Sequence, residues 1–455
     1  MFAKINFHDE FYQKLKLLVL PITMQQFMLA LVSATDAIML GAVSQTSLSA
    51  VSLAGQIQFV LNLFISGISA GSGIMAAQYW GKKDAASIEE VMPIALRTNL
   101  IFSGAFTVFA AVAPEVLMRI FTSDPALIES GAVYLRAVSL SYLLCGISQI
   151  YLILLKNTGY ATVSSRISCT AVVVNIICNA ILIYGLLGLP ALGIQGAAYA
   201  TVAARLVELV WSYLETKQSG RVQIIWKKMF HAADAVLTKD FWRYTMPVLG
   251  AALVWGIAYV SYSVIMGHMG SDAVAANSIT TIAKNMLSCL IRGVSGGAGV
   301  LIGNLLGAGE LDKAKVYGGR LTRMAIVVGM TTGGLLMLIS PLIVRFAPLS
   351  ETAAEYLQYM LIFCGCNIMA QSVNTTVLDG IFCAGGDSKF DMKGNLGAMW
   401  CFSVPFGFFA AFVLKWPVMV VYCIVNLDEI VKIPAVYLHY KKYIWQRNIT
   451  VQEDA

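Results

Sequence analysis

The segment SGISAGSGIMAAQYWG (residues 66–81) has a second copy in the chain, RGVSGGAGVLIGNLLG (residues 292–307). A shift of 226 residues, from 67 to 293, aligns five small residues of the two copies and also places Pro21 on Pro247. A long internal repeat of this kind indicates a duplicated architecture. We therefore interpret the chain as two consecutive copies of the same structural unit.

The composition indicates a membrane protein. The chain has 455 residues, of which 58% are hydrophobic and 12% are charged, and its mean hydropathy is +0.73. A soluble chain is about a quarter charged, and a spanning helix needs about 20 mostly apolar residues. Twelve apolar runs have this length: about 15–40, 54–77, 93–117, 131–155, 166–187, 193–215, 243–267, 278–303, 320–346, 354–382, 396–414 and 417–440. The sequence predicts an all-α membrane protein with twelve transmembrane helices.

Each repeat covers six of these runs, so the two copies have the same orientation in the membrane. This pattern predicts two pseudo-symmetric six-helix lobes, a design suited to alternating access. We expect an N-terminal lobe at 1–215, a cytoplasmic linker at 216–242, and a C-terminal lobe with a cytoplasmic tail at 243–455. The repeated glycines favour close helix packing, with a flexible hinge as the alternative.

Basic residues concentrate in alternate loops. One set of loops, together with both termini, holds about 22 Lys and Arg, whereas the opposite set holds Arg119, Arg345 and Lys415. Short positive loops mark the cytoplasmic side of a membrane protein. We predict a multi-pass protein of the plasma (inner) membrane with both termini in the cytoplasm.

The segment at residues 21–41, which covers most of the first apolar run, contains one acidic residue and no basic one. Asp36 lies within PITMQQFMLALVSATDAIMLG (residues 21–41). A carboxylate is costly in hydrocarbon, so it indicates a site for an ion, a proton or a substrate. The alternative is a structural residue that is wetted near the outer surface. The 226-residue shift places Tyr262 at the equivalent position, so the second repeat lacks this carboxylate.

Three polar residues fall at a depth similar to that of Asp36. Asn175 and Asn179 are one turn apart on the fifth predicted helix, and Thr201 is on the sixth. At about 1.5 Å per residue, all lie in the outer half of the bilayer. Their oxygens suit Na⁺, and the same carboxylate suits a proton. Hydrogen bonding between helices is the alternative role for the asparagines.

Seven motifs carry a resemblance that covers almost the whole chain. They are Asp36 in helix one, MLG (39–41), AQYWGKKD (77–84), NIICNAILIYG (175–185), GIQGAAYAT (193–201), GNLLGAGELDKA (303–314) and FCAGGDSKF (382–390). In this order, and with the duplication, the chain resembles the MATE family of multidrug and toxic-compound efflux transporters.

The resemblance implies two six-helix bundles around a central cavity. It also implies secondary active antiport, in which organic and often cationic compounds leave in exchange for Na⁺ or H⁺. The family's cation site corresponds to Asp36, Asn175 and Asn179, with Thr201 a weaker match. An Asp stands at the position of Asn179 in a proton-linked, archaeal-like branch, so the coupling ion stays open.

The resemblance also bears on the second lobe. Na⁺-linked members carry acidic residues in helices seven and ten, where this chain has Trp255 and the region 370–372. Asp379 follows a little later in helix ten, so the existence of a second cation site stays open. Trp255, Tyr262, Gln371 and Asp379 are candidates for the substrate cavity, and ordinary packing is the alternative role for each of them.

Other charges within the predicted spans have structural interpretations. Arg205 and Glu208 are three residues apart, which predicts an ion pair. Lys284 and Arg292 are expected to pair across the second lobe with the acidic residues of that lobe, which are Asp379, Asp428 and Glu429. Attraction of an anionic substrate group is the alternative role.

The other two classes of function to compare are a flippase and an enzyme. A lipid-linked precursor flippase would need a strongly cationic cavity. An enzyme is not expected, since neither HExxH nor GxxxxGK occurs. We expect no cofactor, no metal beyond Na⁺ at the cation site and no nucleic-acid partner. The expected partners are a small organic substrate and the lipid bilayer, and the expected state is a monomer.

Overall fold

The computed structural model describes residues 9–230, 234–347 and 349–451. Residues 1–8, part of the predicted linker (231–233) and the last four residues lie outside these ranges. Within them there are fifteen α-helices and no strand: α1 Glu10–Val43, α2 Gln45–Gly81, α3 Ala85–Val112, α4 Pro114–Arg119, α5 Pro125–Asn157, α6 Ala161–Tyr184, α7 Ile194–Thr216, α8 Ala235–Gly267, α9 Ser271–Gly307, α10 Leu311–Phe346, α11 Glu351–Thr375, α12 Ser388–Asn395, α13 Val404–Phe408, α14 Val418–Val425 and α15 Asp428–Tyr440.

The predicted membrane spans correspond to these helices. Ten helical segments among the described residues are long and apolar enough to cross a membrane. The other two predicted spans are α7, a 23-residue helix that carries Arg205 and Glu208, and the pair α14 and α15. The prediction of an all-α protein with twelve spans is confirmed.

The last span differs from the prediction of one continuous run at 417–440. Helix α14 ends at Val425 and α15 begins at Asp428. The side-chain amide of Asn367 donates to the Asn426 carbonyl oxygen at 2.8 Å and so satisfies a backbone acceptor at the break. A hydropathy average over the whole run hides this break, which only the short polar stretch at 426–429 marks in the sequence.

Three stretches of the second half are π-helical. They are Thr376–Phe382, which continues α11, Leu396–Ser403, which follows α12, and Phe409–Val413. Such turns are rare and occur frequently at functional sites, because the extra residue in the turn redirects nearby side chains.

Packing divides the chain into two compact units. The N-terminal unit comprises Phe27–Trp80 and Asp84–Leu249, and the C-terminal unit comprises Met1–Gln26, Gly81–Lys83 and Gly250–Ala455. The division therefore falls within α1 and α8. The predicted boundaries near 215 and 243 describe the sequence repeat, and as domain boundaries they stay a prediction.

The repeated glycines lie at close helix contacts. In the N-terminal unit, a Cβ added at Gly71 would lie 2.5 Å from Thr245 Oγ1. In the C-terminal unit, a Cβ added at Gly297 would lie 2.9 Å from Val19 Cγ2. The shift of 226 residues relates Gly71 to Gly297 and Val19 to Thr245, so both repeats use the same contact. The packing interpretation of these glycines is confirmed.

Candidate cation site

Asp36 lies on the part of α1 that belongs to the N-terminal unit, and its side chain is half-buried. Its Oδ1 accepts a hydrogen bond from Asn179 Nδ2 of α6 at 2.6 Å. Among the described residues, no Lys or Arg neutralises this carboxylate. The amide of Asn179 is its direct polar partner.

The two asparagines continue this network toward α7. Asn179 Nδ2 also donates to Asn175 Oδ1 at 3.0 Å, across one turn of α6. Asn175 Nδ2 in turn lies 3.5 Å from Thr201 Oγ1, at the limit of a hydrogen bond. Asn175 is 5% exposed and Asn179 is 1% exposed. All four predicted site residues therefore lie in one connected network, although cation binding stays a prediction.

Tyr134 of α5 is a fifth member that the sequence did not single out. Its side chain is buried, its hydroxyl is hydrogen-bonded to Thr201, and it lies close enough to sense the charge of Asp36. A tyrosine in an apolar run carries no distinctive signal in the sequence. Only the packing of α5 against α7 brings it to this position.

The oxygen atoms of this network fit a small hard cation or a proton. Asn179 Oδ1 is buried and has no hydrogen-bond partner among the described residues. A buried acceptor without a donor is costly, so its presence beside a carboxylate favours a ligand at this point. A Na⁺ ion would be held by Asp36 and Asn179 Oδ1, and a protonated Asp36 would instead donate to that oxygen.

The four candidates for the substrate cavity lie in the C-terminal unit. Trp255 stacks on Tyr259 with ring centroids 5.4 Å apart. Tyr262 packs against a small apolar cluster that includes Ile265 and Val425. The Oε1 atom of Gln371 is buried without a partner among the described residues, and Asp379 is exposed. Their role in a cavity stays a prediction.

The predicted ion pair within α7 is confirmed. Arg205 Nη1 lies 3.1 Å from Glu208 Oε2, and Ser148 of α5 donates to Glu208 Oε1 at 2.5 Å. Glu208 is 2% exposed, so this carboxylate is buried with one cation and one hydroxyl as partners.

The predicted pairing of Lys284 and Arg292 is indirect. Lys284 lies within electrostatic range of Asp428 and Glu429, and Arg292 lies within range of Asp379. Neither base forms a direct salt bridge with these carboxylates in the part of the chain that the structure describes.

Two segments fit the serine-hydrolase pattern GxSxG, at 67–71 and 293–297. Both lie inside long helices, α2 and α9. The hydrolase motif requires a sharp turn between a strand and a helix, which exposes the serine. These glycines instead serve helix contacts.

A family model described as MatE matches the chain twice, at residues 21–181 and 247–409. The two matches begin at Pro21 and Pro247, the same pair that the internal repeat aligns. Together they cover more than half of the chain.

Individual relatives agree with this match. The chain is 22% identical over 414 residues to "Uncharacterized transporter YisQ" of Bacillus subtilis, covering 90% of each protein. It is 24% identical over 358 residues to "Probable multidrug resistance protein NorM" of Agrobacterium fabrum, covering 76% of this chain and 73% of that protein.

Solved structures share the fold. A crystal structure of MATE in complex with MaL6 has a TM-score of 0.86 at 18% identity, covering 95% of this chain and 96% of the other. A MOP superfamily transporter from Pyrococcus furiosus has a TM-score of 0.86 at 18% identity, covering 95% of both chains. The alternative of a lipid-linked precursor flippase gains no support from these matches. The two-fold family match, the twelve helical spans and the shared fold together establish that the chain belongs to the MATE family of multidrug efflux transporters.

Proposed function

We propose that the protein is a secondary active antiporter that exports organic, often cationic compounds in exchange for Na⁺ or H⁺. The observation that carries this proposal is the network around Asp36. It contains a carboxylate without a cationic partner among the described residues and a buried amide oxygen without a donor. The family membership supports transport, and the network supplies a place for the coupling ion.

Asp36 holds the coupling ion in this proposal, and its partners tune the exchange. The amide of Asn179 stabilises the ionised carboxylate through the 2.6 Å hydrogen bond. Binding of Na⁺ or a proton neutralises the carboxylate and removes the need for that bond. The network therefore has two polar arrangements, and alternating access requires such a two-state element.

The location follows from the same proposal. The protein lies in the plasma membrane, and its basic loops and both termini face the cytoplasm. It acts as a monomer, with the lipid bilayer and a small organic substrate as its partners. No cofactor takes part in this exchange.

The test uses purified protein in liposomes and ethidium as a fluorescent flat cation. Export is measured under an imposed Na⁺ gradient at equal pH, and then under an imposed pH gradient without Na⁺. Wild type is compared with Asp36→Asn and with Asp124→Asn. Asp124 is an exposed cap of α5 whose side chain accepts from Ala126 N at 2.9 Å, and Asn preserves such a cap.

We expect one gradient to drive export by wild type and by Asp124→Asn, and we expect Asp36→Asn to lose at least about tenfold of that rate. The responding gradient identifies the ion. Wild-type rates in Asp36→Asn would remove Asp36 from the coupling path. A folded wild type that responds to neither gradient would overturn ion-coupled export of this cation.

A further inference from the structure

A second buried group of charges occurs in the C-terminal unit, around Lys432 of α15. Its Nζ lies 3.2 Å from Glu429 Oε1, 3.8 Å from Asp428 Oδ2 and 3.1 Å from Asn395 Oδ1. Asn395 Nδ2 donates in turn to Asp391 Oδ1 at 3.0 Å. We call Asp391, Asn395, Asp428, Glu429 and Lys432 the lysine cluster.

The lysine cluster contains more carboxylates than cations. Lys432 is 5% exposed, Asp391 is 5% exposed and Asp428 is 6% exposed, so these charges are shielded from water. Three acidic side chains face one ammonium group. Buried charge must be neutralised by a partner, a ligand or a proton, and Lys432 neutralises one carboxylate.

The surrounding groups leave one negative charge in excess. The charged and titratable side chains that face the cluster from neighbouring elements are Lys284 and Arg292 of α9, Asp379 and Cys383 near the end of α11, and Tyr262 of α8. With these included, four carboxylates stand against three basic groups. A single bound proton would balance the set.

An unsatisfied acceptor belongs to a side chain that contacts the cluster. Asn374 of α11 donates to the Glu429 carbonyl oxygen at 2.6 Å and to Glu429 Oε2 at 2.8 Å. Asn374 is 1% exposed, and its Oδ1 has no partner among the described residues. A buried acceptor at an acidic cluster can be satisfied by a protonated carboxyl group or by a proton-carrying water.

The backbone around the cluster is irregular on three sides. Asp428 and Glu429 form the first turn of α15, directly after the break in the last span. Asn395 precedes one π-helical stretch, and Asp379 lies within another and is exposed. Broken helices and π-helical turns are the usual places for ion sites in transporters and enzymes.

The N-terminal unit contains a matched reference for this arrangement. The 226-residue shift places Ser148 on Asn374. Each of these residues donates to a buried glutamate, Glu208 or Glu429, that pairs with a base three residues away. In the N-terminal unit the pair is balanced, with one acid and one base. The C-terminal unit adds three aspartates and an asparagine around the same pair.

We propose that the lysine cluster is a second proton-exchange site, which binds and releases one proton. This inference rests on the proposed ion-coupled transport for its use in the cycle. The binding itself does not depend on transport, so the two proposals can fail separately.

The test is infrared difference spectroscopy of the full-length protein in lipid, recorded between mildly acidic and mildly alkaline pH. The carboxylic-acid carbonyl band is compared among wild type, Asp391→Asn, Asp428→Asn and Glu429→Gln. Glu208→Gln serves as the matched control, because it changes the balanced pair. Folding is verified by circular dichroism and by size-exclusion chromatography.

We expect wild type and Glu208→Gln to share one slowly deuterating band that titrates, and we expect at least one cluster variant to lose it. Lys432→Gln should raise the band intensity, since another carboxylate must then be protonated. An unchanged band in all folded cluster variants would overturn the proposal. If the aspartate variants do not fold, an unchanged band in Lys432→Gln has the same consequence.

Discussion

The two units contain buried polar groups of different character, although their helices come from one repeat. The group around Asp36 has a single carboxylate with amide and hydroxyl partners and lies on regular helices. The lysine cluster combines three carboxylates with one ammonium group beside π-helical turns and a broken helix. The duplication preserved the helix contacts at Gly71 and Gly297, and the polar residues diverged. The two units therefore share the packing contacts of the repeat and differ in their buried polar residues.

The most direct test of this difference replaces the buried ion pair of each unit with two apolar residues. We expect Arg205→Met with Glu208→Met to fold and to retain export within about twofold, since replacing a whole buried ion pair is often neutral. We expect Glu429→Met with Lys432→Met to fold and to lose at least about tenfold of export. Equal rates in the two double variants would show that both pairs are structural.

Removing one partner alone should cost stability in the balanced pair. Arg205→Met leaves Glu208 buried without its cation, which costs about 3–5 kcal/mol. Thermal melting in detergent measures this loss, and the double variant with Glu208→Met should recover most of it. A single variant as stable as wild type would mean that Ser148 and water suffice for Glu208.

Asn179→Asp tests the ion preference of the group around Asp36 in the N-terminal unit. It places a second carboxylate beside Asp36, and two carboxylates at hydrogen-bond distance share one proton. We expect Na⁺-driven export to fall about tenfold relative to pH-driven export, a factor equal to about 1.4 kcal/mol. Gln195→Glu, an exposed change on α7, is the control and should leave the ratio of the two rates unchanged. An unaltered ratio in Asn179→Asp would separate Asn179 from the ion site.

Tyr134→Phe should have a smaller effect. It removes the hydroxyl beside Thr201 and preserves the ring, and a hydrogen bond of this kind contributes about 0.5–1.5 kcal/mol. We expect the ion concentration for half-maximal export to rise up to about tenfold, with the maximal rate preserved. The exposed Tyr199→Phe is the control. A changed maximal rate with an unchanged midpoint would contradict an ion-binding role.

The smallest effect is expected for the partly exposed ion pair of Asp9 and Arg320. The Phe11 backbone N–H and the Arg320 guanidinium lower the pKa of Asp9, which lies outside the spanning part of α1. Because its folded pKa is lowered, Asp9 stabilises the fold above its usual pKa, and this contribution disappears as the pH falls through the lowered value. Asp9→Asn should remove that acid dependence and shift the melting temperature at neutral pH by at most about 2 °C. A larger shift would mean that the pair is shielded from water.

Much of the candidate cation site could be predicted from the sequence. Asp36, Asn175, Asn179 and Thr201 lie on helices whose ends are visible as changes in hydropathy, so counting residues from those ends gives their depth. Equal depth alone leaves hydrogen bonding between helices as an alternative, and the family resemblance matches Asp36, Asn175 and Asn179 to a cation site. Tyr134 was missed because depth does not reveal which face of α5 is turned toward α7.

The lysine cluster could not be predicted in the same way. The sequence predicts Asp428 and Glu429 as partners of Lys284 and Arg292. In the structure their direct partner is Lys432 on their own helix. The polar residues at 426–429 are the only sign of the break in the run at 417–440, and nothing in the sequence indicates that Asp391 and Asn395 lie near α15. The rotation of a helix about its axis is set by side-chain packing with several neighbours, and π-helical turns change that rotation locally.

The amino-acid sequence by itself determined the membrane class, the twelve spans and the duplication. Apolar length and repeated residues are local properties of the chain, and the membrane converts them directly into helices. Only the tertiary structure decided that Asn179 contacts Asp36, that Tyr134 joins the network and that four polar side chains surround Lys432. These contacts join residues far apart in the chain, and their free energies depend on crossing angles and helix rotations that no single segment encodes.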